Sequence, residues 1–133
     1  MKLFNKDEFI DFALRRKVVE FKDVQASAGG TLPFYIRWER VIGNVKDCIE
    51  LGTYVLAYAE DQGYHPDAFL AVPEGPSRLG FEVQRRWAID QEDFEGKRYP
   101  NPMIRKTRKG IGPVEEREVL SLKKGSHVVL LED

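Results

Sequence analysis

Lys123-Lys124-Gly125-Ser126-His127-Val128-Val129-Leu130-Leu131-Glu132-Asp133 sets a basic turn before four apolar residues, two of them β-branched, and ends on two carboxylates. A short all-apolar run reads as a strand covered on both faces, because it keeps no polar side for solvent. In open α/β sheets, ligands collect outside the carboxyl ends of such strands. Glu132 and Asp133 stand at that end. An enzyme of this architecture would continue into a loop and a helix, which the sequence up to Asp133 does not contain. On pattern alone, a buried strand with an acidic solubilising tail is an open alternative.

A second run of this kind is Asp67-Ala68-Phe69-Leu70-Ala71-Val72, which follows Pro66. It leads into Pro73-Glu74-Gly75-Pro76-Ser77-Arg78-Leu79-Gly80 and a segment with apolar Leu79, Phe81, Val83 and Trp87. Strand, Pro/Gly/Ser loop and apolar-patterned segment make a βα unit whose loop suits a phosphate or carboxylate. The loop fits no Walker or dinucleotide fingerprint. Residues 45–62 are the longest helix candidate. Val45, Ile49, Val55, Leu56 and Ala59 are expected on its apolar face, Leu51, Tyr54 and Tyr58 beside it, and Gly63 at its C-cap. Residues 6–17 read as an amphipathic helix capped by Asn5, with Phe9, Ile10, Phe12, Ala13 and Leu14 in its stripe. These elements predict an α/β fold: a mostly parallel sheet flanked by helices, with an N-terminal helix and hairpin as a hood. The expected organisation is one domain over 1–133, with the hood at 1–43 and an incomplete α/β core at 44–133.

Between the first two helices, Val24-Gln25-Ala26 is strand-like, Ser27 to Thr31 is a tight turn and Leu32 to Ile36 begins a second strand. Its paired glycines permit positive φ and close approach of a ligand, or serve an ordinary hairpin. Arg37-Trp38-Glu39-Arg40 reads as an aromatic among charges at a sheet edge. Residues 90–101 form a polar, irregular connection, and Met103-Ile104 a short apolar element. Next, Arg105-Lys106-Thr107-Arg108-Lys109 carries four cations in five positions ahead of Gly110-Ile111-Gly112-Pro113. Such a loop can close over an anion and neutralise it, or be a solvated turn. Residues 115–122 suit a strand or edge ribbon.

Composition narrows the function classes. A chain of 133 residues with 42% hydrophobic and 32% charged residues can build a real core. A formal charge of −1 argues against a nucleic-acid or anionic-membrane partner, so basic chemistry has to be local. One cysteine, Cys48, excludes an internal disulfide framework and suits a reducing cytoplasm. No apolar run approaches a membrane span of about 20 residues, and residues 1–6 lack a signal-peptide core.

In order along the chain, four segments resemble orotate phosphoribosyltransferases, members of the type I phosphoribosyltransferases. Ser27 to Ile36 resembles the family's substrate-side hairpin. Leu70-Ala71-Val72-Pro73-Glu74-Gly75 is similar to its strand and pyrophosphate-binding turn. Ile104 to Gly112 resembles its mobile catalytic loop, and Gly125 to Asp133 the opening half of its phosphoribosyl pyrophosphate motif. The departures are specific: Ile111 replaces the loop histidine, Ser27 the frequent hairpin lysine, Ala71 and Pro76 two glycines, and Arg37 an aspartate. The motif's second half, a phosphate-cradling turn, is not among these 133 residues, so the resemblance implies either a chain truncated after the first half or a naturally shortened relative.

The resemblance implies transfer of ribose 5-phosphate from phosphoribosyl pyrophosphate to orotate in pyrimidine nucleotide synthesis, in a cytoplasmic homodimer. Arg105, Lys106 and Lys109 would be the catalytic cations. Ser27, Gly29, Gly30, Thr31, Phe34 and Tyr35 would receive orotate. Pro73, Glu74 and Gly75 would hold the pyrophosphate, and Glu132 and Asp133 the ribose hydroxyls. Mg²⁺ would arrive with the donor, and no side chain is assigned as a direct metal ligand. Without the phosphate cradle, the 133-residue chain is expected to bind the donor weakly and turn over little. The alternative function is a non-catalytic module of the same fold that senses a nucleotide or phosphoribosyl compound.

Overall fold

Asn5 opens the first helix: its side-chain oxygen accepts from the Asp7 and Glu8 amides, satisfying two of the donors a helix start leaves unpaired. In this computed structural model, which describes residues 3–113 and 118–133, α1 spans Lys6–Arg15. Lys17, at a φ of 54°, turns the chain out of it. Four short strands follow as two antiparallel pairs. β1 (Val19–Glu20) pairs with β4 (Tyr35–Ile36), and β2 (Val24–Gln25) with β3 (Thr31–Leu32). Thr31 is therefore strand rather than turn. The turn is closed by the Ala26 amide donating to Gly30 O at 2.9 Å, with Gly29 and Gly30 both at positive φ.

Arg37 still borders the β1–β4 pair, its amide donating to Val18 O at 2.7 Å, but Trp38 to Arg40 leave the sheet edge. Trp38 precedes a one-turn helix, α2 (Glu39–Ile42), whose Val41 and Ile42 are buried. The two apolar residues that follow Arg40 pull this segment inward as a helix. Glu20 binds it to the hairpin: its carboxylate meets Lys22 at 2.7 Å, Arg37 at 3.5 Å and Arg40 at 2.5 Å. The Lys22 hydrogen bond, with help from the neighbouring arginines, holds the Glu20 carboxyl below its ordinary value of 4.5. The contribution of this cluster is therefore present above the unfolded carboxylate value and is lost as pH falls through the lower folded one. Thermal melts between pH 6 and pH 3 should lose stability, and Glu20→Gln should be the less acid-sensitive protein. Equal acid sensitivity would remove the cluster from the account.

α3 (Val45–Asp61) is capped by Asn44, and Gly63 follows it at a φ of 70°. Its inward face keeps Leu56 and Ala59 of the expected stripe but adds Cys48, Leu51 and Tyr54, while Val45 is 78% exposed. Tyr54 supports α1, because Phe9 and Phe12 pack on its ring at 5.4 Å. Burial, with Glu82 nearby, pushes the Cys48 thiol above its usual range, so this cysteine is a packing residue.

The two apolar runs pair as expected. β5 (Ala68–Ala71) and β8 (Val128–Leu131) lie parallel and in register, Ala68 against Val128 through Ala71 against Leu131. α4 (Ser77–Ile89) packs on β5 and on α3, giving the α/β layers. Gln84 fastens them: the Phe69 amide donates to its Oε1 at 2.7 Å, and its Nε2 donates to Pro100 O at 2.6 Å. β5 is wholly buried, but β8 is not covered on both faces, since Leu130 is 55% exposed. Among the described residues only β5 borders it in a ladder. A further antiparallel ladder joins β6 (Met103–Ile104) to β7 (Val119–Leu120). Of the expected ribbon at 115–122, residues 115–117 lie outside the described residues. No helix among the described residues is long and apolar enough to cross a membrane.

Candidate functional site

The parallel pair ends where two loops and the acidic dipeptide meet. β5 runs into Val72, whose amide donates to Leu131 O at 2.9 Å and so draws the turn after β5 against the end of β8. Pro73, Glu74 and Gly75 form that turn, with a cis peptide between Pro73 and Glu74. It closes by the Ser77 amide donating to Glu74 O at 3.2 Å, and α4 begins there. Gly75 is a close approach: a β-carbon there would stand 2.6 Å from Asp133 Oδ2. The turn and Asp133, 58 residues apart in sequence, are thus in contact.

The basic loop joins them from the other side. β6 and β7 form its base, where the Arg105 amide donates to Glu118 O at 2.7 Å. Lys106 Nζ then reaches Glu74 Oε1 at 3.0 Å, and Arg108 Nε stands 3.4 Å from Glu118. Arg105, Lys106 and Lys109 precede an exposed Ile111, which offers no titratable group. Among the described residues, Glu74, Gly75, Lys106 and Asp133 form one cluster at the carboxyl end of the sheet.

The hairpin residues are placed differently. Ser27, Gly29 and Gly30 lie at the exposed tip of the β2–β3 hairpin, and Thr31 beside it in β3. A β-carbon added at either glycine would meet nothing within 4 Å. Phe34 and Tyr35 are exposed, and the Tyr35 ring lies 6.0 Å from Lys22 Nζ and 5.9 Å from Arg37 Cζ. The hood instead shares a cavity with the carboxylates through Trp38 and Ile42. Both line a cavity of about 380 Å³ that reaches from Phe4, Phe9 and Tyr58 to Glu132 and Asp133. Phe9 stacks on Trp38 at 5.9 Å. These aromatics escaped sequence reading because they are scattered over three segments and look like ordinary core. Their signal was the density of aromatics in 4–58.

Chemically, the cluster offers an open loop, a cation reaching over it and two carboxylates at the strand end. That set suits an anionic ligand carrying hydroxyl groups. Gly75→Ala should push the Asp133 carboxylate away rather than unfold the chain, because the obstacle is the end of a side chain. The expected outcome is a melting temperature within about 2 °C of the parent and pyrophosphate binding weakened several-fold in calorimetry.

The fold is that of solved orotate phosphoribosyltransferases. The chain is similar to orotate phosphoribosyltransferases in both sequence and structure, although no family model matches it. It is 28% identical over 105 residues to the orotate phosphoribosyltransferase of Pseudoalteromonas translucida (strain TAC 125), which covers 79% of this chain and 47% of that protein. The crystal structure of the Francisella tularensis orotate phosphoribosyltransferase superposes with a TM-score of 0.66 at 17% identity, over 95% of this chain and 56% of that one. The Mycobacterium tuberculosis H37Rv enzyme, in complex with Fe(III) dicitrate, superposes with a TM-score of 0.57 at 16% identity, over 92% of this chain and 64% of that one. The chain spans about half the length of the curated relative it matches.

Proposed function

We propose that this chain serves orotate phosphoribosyl transfer and supplies the pyrophosphate side of the donor site. The observation that carries the reading is the meeting of Glu74, Gly75, Lys106 and Asp133 at the carboxyl end of the β5–β8 pair. Departure of pyrophosphate from ribose leaves an oxocarbenium-like centre and concentrates negative charge on the leaving group. Lys106, with Arg105 and Lys109 beside it in the loop, balances that charge, and closure of the loop excludes water that would hydrolyse the donor. The backbone of Pro73 to Gly75 receives the pyrophosphate, and Glu132 and Asp133 hold the ribose hydroxyls. Ser27 to Thr31, with Phe34 and Tyr35, receive the flat orotate when the hairpin folds toward the site.

Mg²⁺ fits this donor set as a guest of the substrate. Among the described residues no three acidic, histidine or cysteine side chains gather to hold a metal, whereas Mg²⁺ needs only one or two carboxylates beside phosphate oxygens and waters. Glu132 and Asp133 would reach the ion through its bound waters while holding the ribose hydroxyls, and the ion would neutralise pyrophosphate oxygens. We assign the chain to a cytoplasmic homodimer with 104–112 near the two-fold axis. A monomer in light scattering would overturn that assembly.

The test is direct: phosphoribosyl pyrophosphate, Mg²⁺ and orotate are given to the chain, and binding and orotidine 5′-phosphate formation are followed. Saturable binding of donor and orotate with product formation supports transfer. Orotate binding with weak donor binding and little product is the outcome expected of these 133 residues, donor binding with no affinity for orotate favours the sensing module, and no binding of either ligand overturns the reading.

A further inference from the structure

We propose that the cavity at the amino ends of β5 and β8, at the opposite end of the strands from the carboxylates, binds a small polyphosphate anion. It measures about 690 Å³, and Lys97, Arg98, Lys123 and Lys124 all line it. The one carboxylate in its lining is Asp67, which is already engaged: its Oδ2 accepts from the His127 amide at 2.7 Å. Four cations against one acid give the lining a charge of about +3 on a chain whose net charge is −1. Such a local excess focuses anions.

The turn that carries two of these cations is built rather than loose. Gly125 takes a φ of 86°, and the Ser126 hydroxyl donates to Lys123 O at 2.8 Å, closing Lys123-Lys124-Gly125-Ser126 at the cavity rim. Opposite it, Lys97 lies 4.8 Å over the Tyr99 ring, and Tyr99 is held by its hydrogen bond to Asp93. Lys97 has a distant ion pair with Asp93 at 3.8 Å. Among the described residues, Arg98, Lys123 and Lys124 have no carboxylate within ion-pair distance. The volume lies in the range of small-molecule sites and exceeds what one phosphate needs. Lysines bind phosphate as point charges, which suits a flexible di- or triphosphate chain. The cations surround a concavity instead of forming a stripe, which fits a compact anion better than a nucleic-acid backbone.

The site is separate from the donor site. Four paired residues of β5 and β8 stand between them, or about 10 Å of strand before the loops are added. Calorimetry with inorganic triphosphate tests the proposal on the parent chain, on Lys123→Ala/Lys124→Ala and on Lys106→Ala. The parent should show two classes of site. The double variant should lose one of them, weakened at least tenfold, while keeping its melting temperature, and Lys106→Ala should spare that class. Unchanged triphosphate binding in the double variant overturns the proposal, as does a parent chain with a single class that Lys106→Ala removes.

Discussion

Gly80→Ala should lower the melting temperature by about 6–12 °C, although alanine is the better helix former. Gly80 lies in the first turns of α4, facing β5. A β-carbon there would overlap that of Ala71 and stand 3.2 Å from the Ala71 amide nitrogen and 3.4 Å from its α-carbon. Neither partner can retreat. Ala71 is buried and paired with Leu131, while Gln84 ties the next turn of α4 to Phe69 and Pro100. Overpacking of this kind costs about 1–3 kcal/mol, and a backbone obstacle belongs at the upper end. Alanine returns up to about 1 kcal/mol of helix propensity, leaving about 2 kcal/mol net, at roughly 3–6 °C per kcal/mol for a chain of this size. Gly52→Ala in α3 is the control. Its new methyl would meet Glu82 Cγ at 3.5 Å and Val83 Cγ2 at 3.6 Å, which are ordinary contacts, so propensity should win and the protein should melt slightly higher. If both variants shift in the same direction, the close packing of α4 on β5 is wrong.

The difference between these glycines marks the limit of what the sequence discloses. Local patterns located α1, α3 and the two parallel strands within a residue or two, because caps and all-apolar runs act over short distances. Contacts made across the chain were not legible. Gly52 and Gly80 look alike in sequence, and only the proximity of Ala71 separates them. The apolar face of α3 was misjudged at Val45 because all its sides carry hydrophobic residues, and tertiary packing chose among them. Val128–Leu131 reads as a doubly buried strand, yet Leu130 is open because a run of four residues does not reveal how many neighbours a strand has. At the candidate site, Glu74, Gly75, Lys106 and Asp133 were each singled out by motif, whereas their contacts could be seen only in three dimensions. Trp38, Phe9 and Tyr58 carry no motif, so their cavity beside the carboxylates was invisible.

Lys106→Ala should cost about 10–100-fold in pyrophosphate affinity while leaving stability almost untouched. The two effects separate because the Lys106–Glu74 pair, 3.0 Å apart, is largely solvent-exposed on both sides. An exposed pair adds about 0–1 kcal/mol to folding, so its loss should move the melting temperature by no more than a few degrees. A phosphate oxygen in the Pro73–Gly75 turn would meet the same ammonium in a charge-assisted hydrogen bond, worth about 1.5–3 kcal/mol. That interaction has to displace Glu74, which competes for Lys106 in the free chain. Glu74→Gln should therefore bind pyrophosphate more tightly than the parent, by a few-fold. Calorimetry at low salt reads both changes, and raising the salt should narrow the gap between the parent and Lys106→Ala. Unaltered affinity in Lys106→Ala would leave the loop a solvated turn, whereas weaker binding in Glu74→Gln would make that carboxylate a ligand-holding group instead of a competitor.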